Sequence, residues 1–145
     1  MTDEKIFRIA DKYGEAFYLF DKQVFENNYK EFVDSFRKYY KRFNVAYSYK
    51  TNYIPPICKI VNEMNGYAEV VSEMELEIAL RCGVPYQKII WNGPIKNKEI
   101  VSDVISKGTI INIDSLGELE ILINGSLNIS KKYSIGLREI GRAHV

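Results

Sequence analysis

From residue 45 onward, short runs of β-branched and aromatic residues alternate with longer stretches whose apolar positions recur every three or four residues. Runs of the first kind predict strands, and stretches of the second predict amphipathic helices. "VAYSY" (45–49), "YAEVV" (67–71), "KIIWN" (88–92), "TIINI" (109–113) and "KYSIGLR" (132–138) read as strands. The first intervening helix starts at Pro55-Pro56 and ends near Asn65-Gly66, since proline suits a first turn and glycine an end. Ser72, with Glu75 three residues on, forms a capping box for the next helix, which closes at Cys82-Gly83. "GPIKNKEIVSDVISKG" supplies a loop and a helix ended by Gly108, and Asp114-Ser115 is a capping pair for "LGELEIL". Upstream, "AFYLF" (16–20) reads as a further short strand, and Asp21 caps a long helix after it. Its inner stripe comprises Phe25, Tyr29, Phe32, Phe36, Tyr39 or Tyr40, and Phe43, and is expected to pack against a sheet rather than to form a ligand box.

Strands begin roughly every 22 residues with helices between them, the signature of parallel βαβ units. Two architectures satisfy this pattern. One is a complete five-stranded doubly wound sheet, for which 145 residues suffice. The other is an eight-stranded β/α barrel, which needs about 200–250 residues. On that second reading the chain stops after the fifth barrel strand.

Composition narrows the class of function. Hydrophobic residues make up 46% and charged residues 27%, so the chain is globular rather than disordered. A net charge of +1 offers no general attraction to nucleic acid or an anionic membrane. The basic run "RKYYKR" (37–42) lies within a helical pattern and is expected to be a solvated helix face. Cys58 and Cys82 have no metal-ligand spacing and read as ordinary buried thiols of a reducing compartment. With neither a signal-like start nor a stretch long enough to cross a bilayer, the expected location is cytoplasmic.

In either architecture, chemistry gathers where strands end and helices begin. Those positions hold Lys50, Asn52, Ser72, Glu75, Asn92, Gly93, Asp114, Ser115 and Arg138. No glycine-rich phosphate loop is visible, which weighs against a nucleotide-binding doubly wound sheet; "NGP" (92–94) is more simply a turn. No Ser-His-Asp or Cys-His arrangement is apparent, and the single histidine, His144, is next to last. Lys50 is the chemically distinctive residue. A neutral lysine amine condenses with aldehydes, and strand burial assists by lowering its pKa. Spacing alone favours reading it as a solvated or structural lysine.

"YSYKTN" (47–52, with Lys50 as its lysine) resembles the Tyr-Ala-x-Lys-Ala-Asn segment of the fold-type-III pyridoxal-phosphate-dependent amino-acid decarboxylases, a family that includes the diaminopimelate, ornithine and arginine enzymes. "YAEVVSEMELEIALRCGVPYQKIIWNG" resembles the family's Asp-Val-Val-Ser-x-x-Glu-Leu segment, its Ala-Leu-x-x-Gly helix end and its Ile-x-x-x-Gly strand. "KNKEI", "INIDSLGELEIL" and "IGLR" resemble later segments, in order and at the expected spacings across residues 16–138. The resemblance implies an incomplete (β/α)8 TIM barrel of the alanine-racemase-like type, with about five of eight barrel strands present. It implies Lys50 as the catalytic lysine that carries pyridoxal 5'-phosphate, and Ser72, Glu75 and Arg138 around the cofactor. Each of these three also has a plain reading, as a helix cap or a strand-end ion pair. Ser48 and Thr51 depart from the family's alanine-like residues, Glu69 from its aspartate, and Glu73-Met74 from a frequent Gly-Gly.

After Arg138 the family continues Asn-Pro, whereas residues 139–145 read "EIGRAHV". One frame of a common short-read sequencing adapter translates to Ile-Gly-Arg-Ala-His-Val, so this tail is expected to be non-native and residues 1–138 to be the N-terminal part of the barrel. The expected whole is a decarboxylase of amino acids, of the diaminopimelate branch, homodimeric, without nucleic-acid or membrane partners. The 145-residue piece alone is expected to be inactive and poorly folded. Open alternatives are an ornithine or arginine decarboxylase, an alanine-racemase-type isomerase, a catalytically silent decarboxylase-like regulator, and a stand-alone sheet binding a small anion.

Overall fold

In the computed structural model, which describes residues 2–14, 16–125 and 131–138, the chain divides into two units, residues 1–41 and 42–145. The second holds five parallel strands: β1 (Ala46–Ser48), β2 (Tyr67–Val70), β3 (Ile89–Trp91), β4 (Ile110–Ile113) and β5 (Ile135–Leu137). Their order in the sheet is β1-β2-β3-β4-β5, every neighbouring pair parallel. Each new strand therefore adds to the same edge. A doubly wound sheet reverses direction at a switch point, and none occurs among the described strands. The winding is that of a β/α barrel open between β1 and β5.

Helices α3 (Pro55–Glu63), α4 (Glu73–Arg81), α5 (Lys98–Ser106) and α6 (Leu116–Gly125) connect the strands. Alternation along each strand decides what they cover. Ala68, Val70, Ile89, Trp91, Ile111 and Ile113 are buried and share one cluster with Cys58, Leu76, Ala79, Val101, Val104, Ile105 and Leu122 from the helices. The intervening residues Tyr67, Glu69, Ile90, Ile110 and Asn112 lie on the opposite face and remain partly exposed. That open face would be the interior of a closed barrel. Turn chemistry follows the sequence: Asn65 and Gly83 both have positive φ after α3 and α4, as does Gly108 after α5.

Unit 1 departs from expectation. Its elements are α1 (Asp3–Tyr13), which the apolar pattern did not suggest, and α2 (Lys22–Arg37). Residues 16–20 form no strand; among the described residues of this unit no strand offers them a ladder, and β-propensity without a partner does not make one. The Asp21 carboxylate does cap α2, accepting from the Val24 N–H at 3.2 Å. The helix ends at Arg37, so Tyr39, Tyr40 and Phe43 lie beyond it, and the run 37–42 is an exposed turn rather than a helix face. Val33 is the buried residue of α2, while Phe32 and Phe36 stay about half exposed and stack on each other with ring centroids 4.9 Å apart. The aromatic stripe is thus not the buried seam expected of it.

Cys58 and Cys82 are free, buried thiols, as anticipated. No helix among the described residues is long and apolar enough to cross a membrane. Residues 139–145, including His144, lie outside the described residues.

Candidate active site at the strand ends

The end of β1 shows why a strand delivers Lys50 where the chain turns. The ladder runs one residue past Ser48, with the Tyr49 N–H donating to the Glu69 carbonyl at 2.9 Å. Tyr49 is buried in the cluster shared with the helices, alternation puts Ser48 on the open face, and Lys50 follows in the turn beyond the strand. The Thr51 N–H and hydroxyl then both bond the Ser48 carbonyl, at 3.3 and 2.7 Å, and turn the chain. Asn52 accepts from the Ile54 N–H at 3.1 Å, leading into the prolines of α3. Lys50 is exposed among the described residues. Burial acts on its neighbour instead: it pushes the Tyr49 phenol far above its usual range, with a smaller contribution from the adjacent Cys58.

Next to Lys50 a row of polar side chains crosses the open face. Register places Ser48 opposite Glu69, and the Ser48 hydroxyl donates to Glu69 Oε2. Asn92 Nδ2 donates to Glu69 Oε1 at 2.6 Å, and Asn112 Nδ2 donates to Asn92 Oδ1 at 2.5 Å. The row ends at Gly136, which register sets beside Asn112. A Cβ there would collide with Asn112 Oδ1 and sit 3.0 Å from its Cγ. Two residues read as separate departures from the family pattern, Ser48 and Glu69, are therefore bonded partners.

Ser72 and Glu75 close the turn after β2. The Ser72 hydroxyl oxygen accepts from the Glu75 N–H at 3.2 Å, and Glu75 Oε2 accepts from the Val71 N–H at 2.8 Å. The Ser72 O–H remains able to donate. Glu75 is buried in this cap, which keeps it from the open face. Ser115 and Glu118 repeat the device after β4, at 3.2 Å to the Glu118 N–H and 2.8 Å from the Asp114 N–H. Arg138 stands at the end of β5, its N–H bonded to the Ile113 carbonyl at 3.0 Å and its guanidinium 3.4 Å from Asp114 Oδ1.

Sequence reasoning missed Lys96. Its side chain is 1% exposed, and Nζ donates to the Gly93 carbonyl (2.5 Å), the Asn112 carbonyl (2.9 Å) and Glu118 Oε1 (2.6 Å). Asp114 Oδ2 lies 3.6 Å away. One buried cation thus ties the end of β3, the end of β4 and the start of α6, and links through Asp114 to Arg138. The only signal in the sequence was its place in "KNKEI", where a lysine beside polar residues looks solvated. Gly93, three residues earlier, has φ 102° and would bring a Cβ to 2.9 Å from the Val71 carbonyl oxygen, so the turn requires glycine.

A family profile described as "Pyridoxal-dependent decarboxylase, pyridoxal binding domain" matches residues 26–138. The diaminopimelate decarboxylase of Methanocaldococcus jannaschii is 36% identical over 121 residues, 80% of this chain and 27% of that protein. That of Aquifex aeolicus is 29% identical over 131 residues, 90% of this chain and 30% of the relative. A crystal structure of the M. jannaschii diaminopimelate decarboxylase in complex with L-lysine superposes with a TM-score of 0.80 at 28% identity, covering 91% of this chain and 32% of that one. The chain spans about 30% of the length of these relatives.

Proposed function

Because the chain belongs to the pyridoxal-dependent decarboxylases, through their pyridoxal-binding domain, we infer that it is part of an amino-acid decarboxylase that uses pyridoxal 5'-phosphate, with diaminopimelate as the substrate and lysine as the product. The observation that carries this reading is a sheet wound in barrel order with an exposed lysine, Lys50, in the turn that follows its first strand. The specificity rests on the curated diaminopimelate decarboxylases among its relatives.

The residues present fit such a cofactor. An aldehyde needs an accessible primary amine, and Lys50 is exposed in the turn just past the first strand. When bound, pyridoxal phosphate supplies an electron sink for the pair released as carbon dioxide departs. Lys50 Nζ would hold the cofactor covalently and, when free, hold a proton at the strand mouth. Arg138, engaged by Asp114 on one side, keeps donors for an anionic group, and the Ser72 O–H offers another. Glu75, Lys96 and Asp114 shape and brace the loops from which these groups project.

The test uses the full-length protein that carries residues 1–138, incubated with pyridoxal phosphate, reduced with borohydride and mapped by peptide mass spectrometry. A reduced adduct at Lys50, with carbon dioxide released from meso-diaminopimelate faster than from ornithine or arginine, is the expected result. An adduct at another lysine overturns the assignment of Lys50, and preference for ornithine or arginine overturns the specificity. Homodimeric assembly belongs to the same reading and is checked by light scattering.

A further inference from the structure

Lys96, Asp114, Glu118 and Arg138 meet where β3, β4 and β5 end, and their hydrogen bonds can be counted. Lys96 has three N–H donors, and all three are taken, by the Gly93 carbonyl, the Asn112 carbonyl and Glu118 Oε1. Glu118 Oε2 is taken as well, by the Asp114 N–H. Asp114 Oδ1 meets the Arg138 guanidinium at 3.4 Å. Asp114 Oδ2 is left over. It is buried, finds no hydrogen-bond donor among the described residues, and lies 3.6 Å from Lys96 Nζ.

The two cations therefore hold Asp114 in different ways. Lys96 acts on it by charge alone, because its donors are spent, and at 1% exposure it is closed to any ligand. Arg138 gives it one long contact and stays 43% exposed. A guanidinium carries five N–H donors in a fixed fork, so among the described residues most of this fork is uncommitted. It borders a cavity of about 220 Å³ that Ser115 and Leu137 also line. With two cations and two carboxylates the cluster is balanced. Without Lys96 the Asp114 carboxylate would fall to Arg138 alone, whose fork can close on both oxygens, and the strand ends would carry a net negative charge. Both changes oppose an anion at Arg138.

Resting on the reading of the chain as part of a pyridoxal-phosphate decarboxylase, we propose that Lys96 is a positioning residue for Arg138, acting through Asp114. By sharing the Asp114 carboxylate, it leaves the guanidinium free to hold an anionic group at the strand ends. That group is the phosphate of the cofactor or a carboxylate of the substrate. A planar fork of parallel N–H donors suits either.

Two quantities are measured on the full-length protein: the Kd of the apoprotein for pyridoxal phosphate and for pyridoxal, and the KM for meso-diaminopimelate. Arg138→Gln, at an exposed position, weakens the binding of one anion by about tenfold or more. A loss confined to pyridoxal phosphate, with pyridoxal unchanged, identifies the cofactor's phosphate. A raised KM with unchanged cofactor affinity identifies the substrate's carboxylate. Lys96→Met/Glu118→Gln removes the buried ion pair as a pair, so neither charge is stranded. It weakens the same constant in the same direction, by less. In the Asp114→Asn background this double substitution adds nothing, because Asp114 is the link. Kd and KM both unmoved in Arg138→Gln overturn the proposal and leave the decarboxylase reading intact. An unmoved constant in Lys96→Met/Glu118→Gln, or an equal loss in the Asp114→Asn background, overturns the positioning role of Lys96. A wild-type apoprotein that binds no pyridoxal phosphate overturns the cofactor reading itself, and the proposal with it.

Discussion

At the scale of single residues, two lysines show how differently one side chain can be used. Lys50 is exposed at a strand mouth, where a primary amine is available for chemistry. Replacing it with alanine in the full-length protein is expected to abolish the reducible adduct and to lower kcat by at least on the order of 10², as measured by carbon dioxide release. Lys96 is buried against two carboxylates and two carbonyls, where its charge is spent on holding three loops together. Lys96→Met leaves Glu118 and Asp114 without their cation and is expected to cost about 3–5 kcal/mol in urea unfolding, since breaking one side of a buried pair strands the other. A composition count weighs these lysines equally. Burial separates them.

At the scale of elements, the βα turns carry the local order. Ser72 and Ser115 each cap a helix while a glutamate three residues on reaches back to the turn. Ser72→Ala is expected to cost about 1 kcal/mol, read as a lower denaturation midpoint with an unchanged slope. Gly93→Ala is expected to cost more, about 1–3 kcal/mol, because positive φ and the Val71 carbonyl both oppose a Cβ. The turns themselves are legible in the sequence, since caps and glycines act through neighbours three or four residues away. The segment at 16–20 is not. Its aromatic and apolar content suits a strand, but a strand exists only where another offers it a ladder, and unit 1 contains none among the described residues.

At the scale of the whole molecule, burial of ionisable groups on the helix side of the sheet makes stability depend on alkaline pH. Burial raises the pKa of Cys58, Cys82 and Tyr49, so the native state holds their protons more tightly than the unfolded chain does. Their contribution is complete below about pH 8.5 and is lost as pH climbs from there toward the raised values. The urea midpoint of the full-length protein is therefore expected to fall between about pH 8 and 10, and to fall less in a Cys58→Ala, Cys82→Ala double variant. The sequence alone determined the alternation of strands and helices, the parallel pairing it implies, the caps, and the lysine at the end of the first strand. All of these rest on periodicity, on short-range hydrogen bonds or on an ordered set of motifs. Periodicity by itself leaves the sheet either doubly wound or barrel-like, because strand order depends on which edge each βα unit joins. Tertiary structure decided that order, and with it which residues meet. Ser48 and Glu69 are 21 positions apart, and Lys96 and Glu118 are 22 apart. Their partnerships arise only because consecutive strands add to one edge and bring each strand end beside the next.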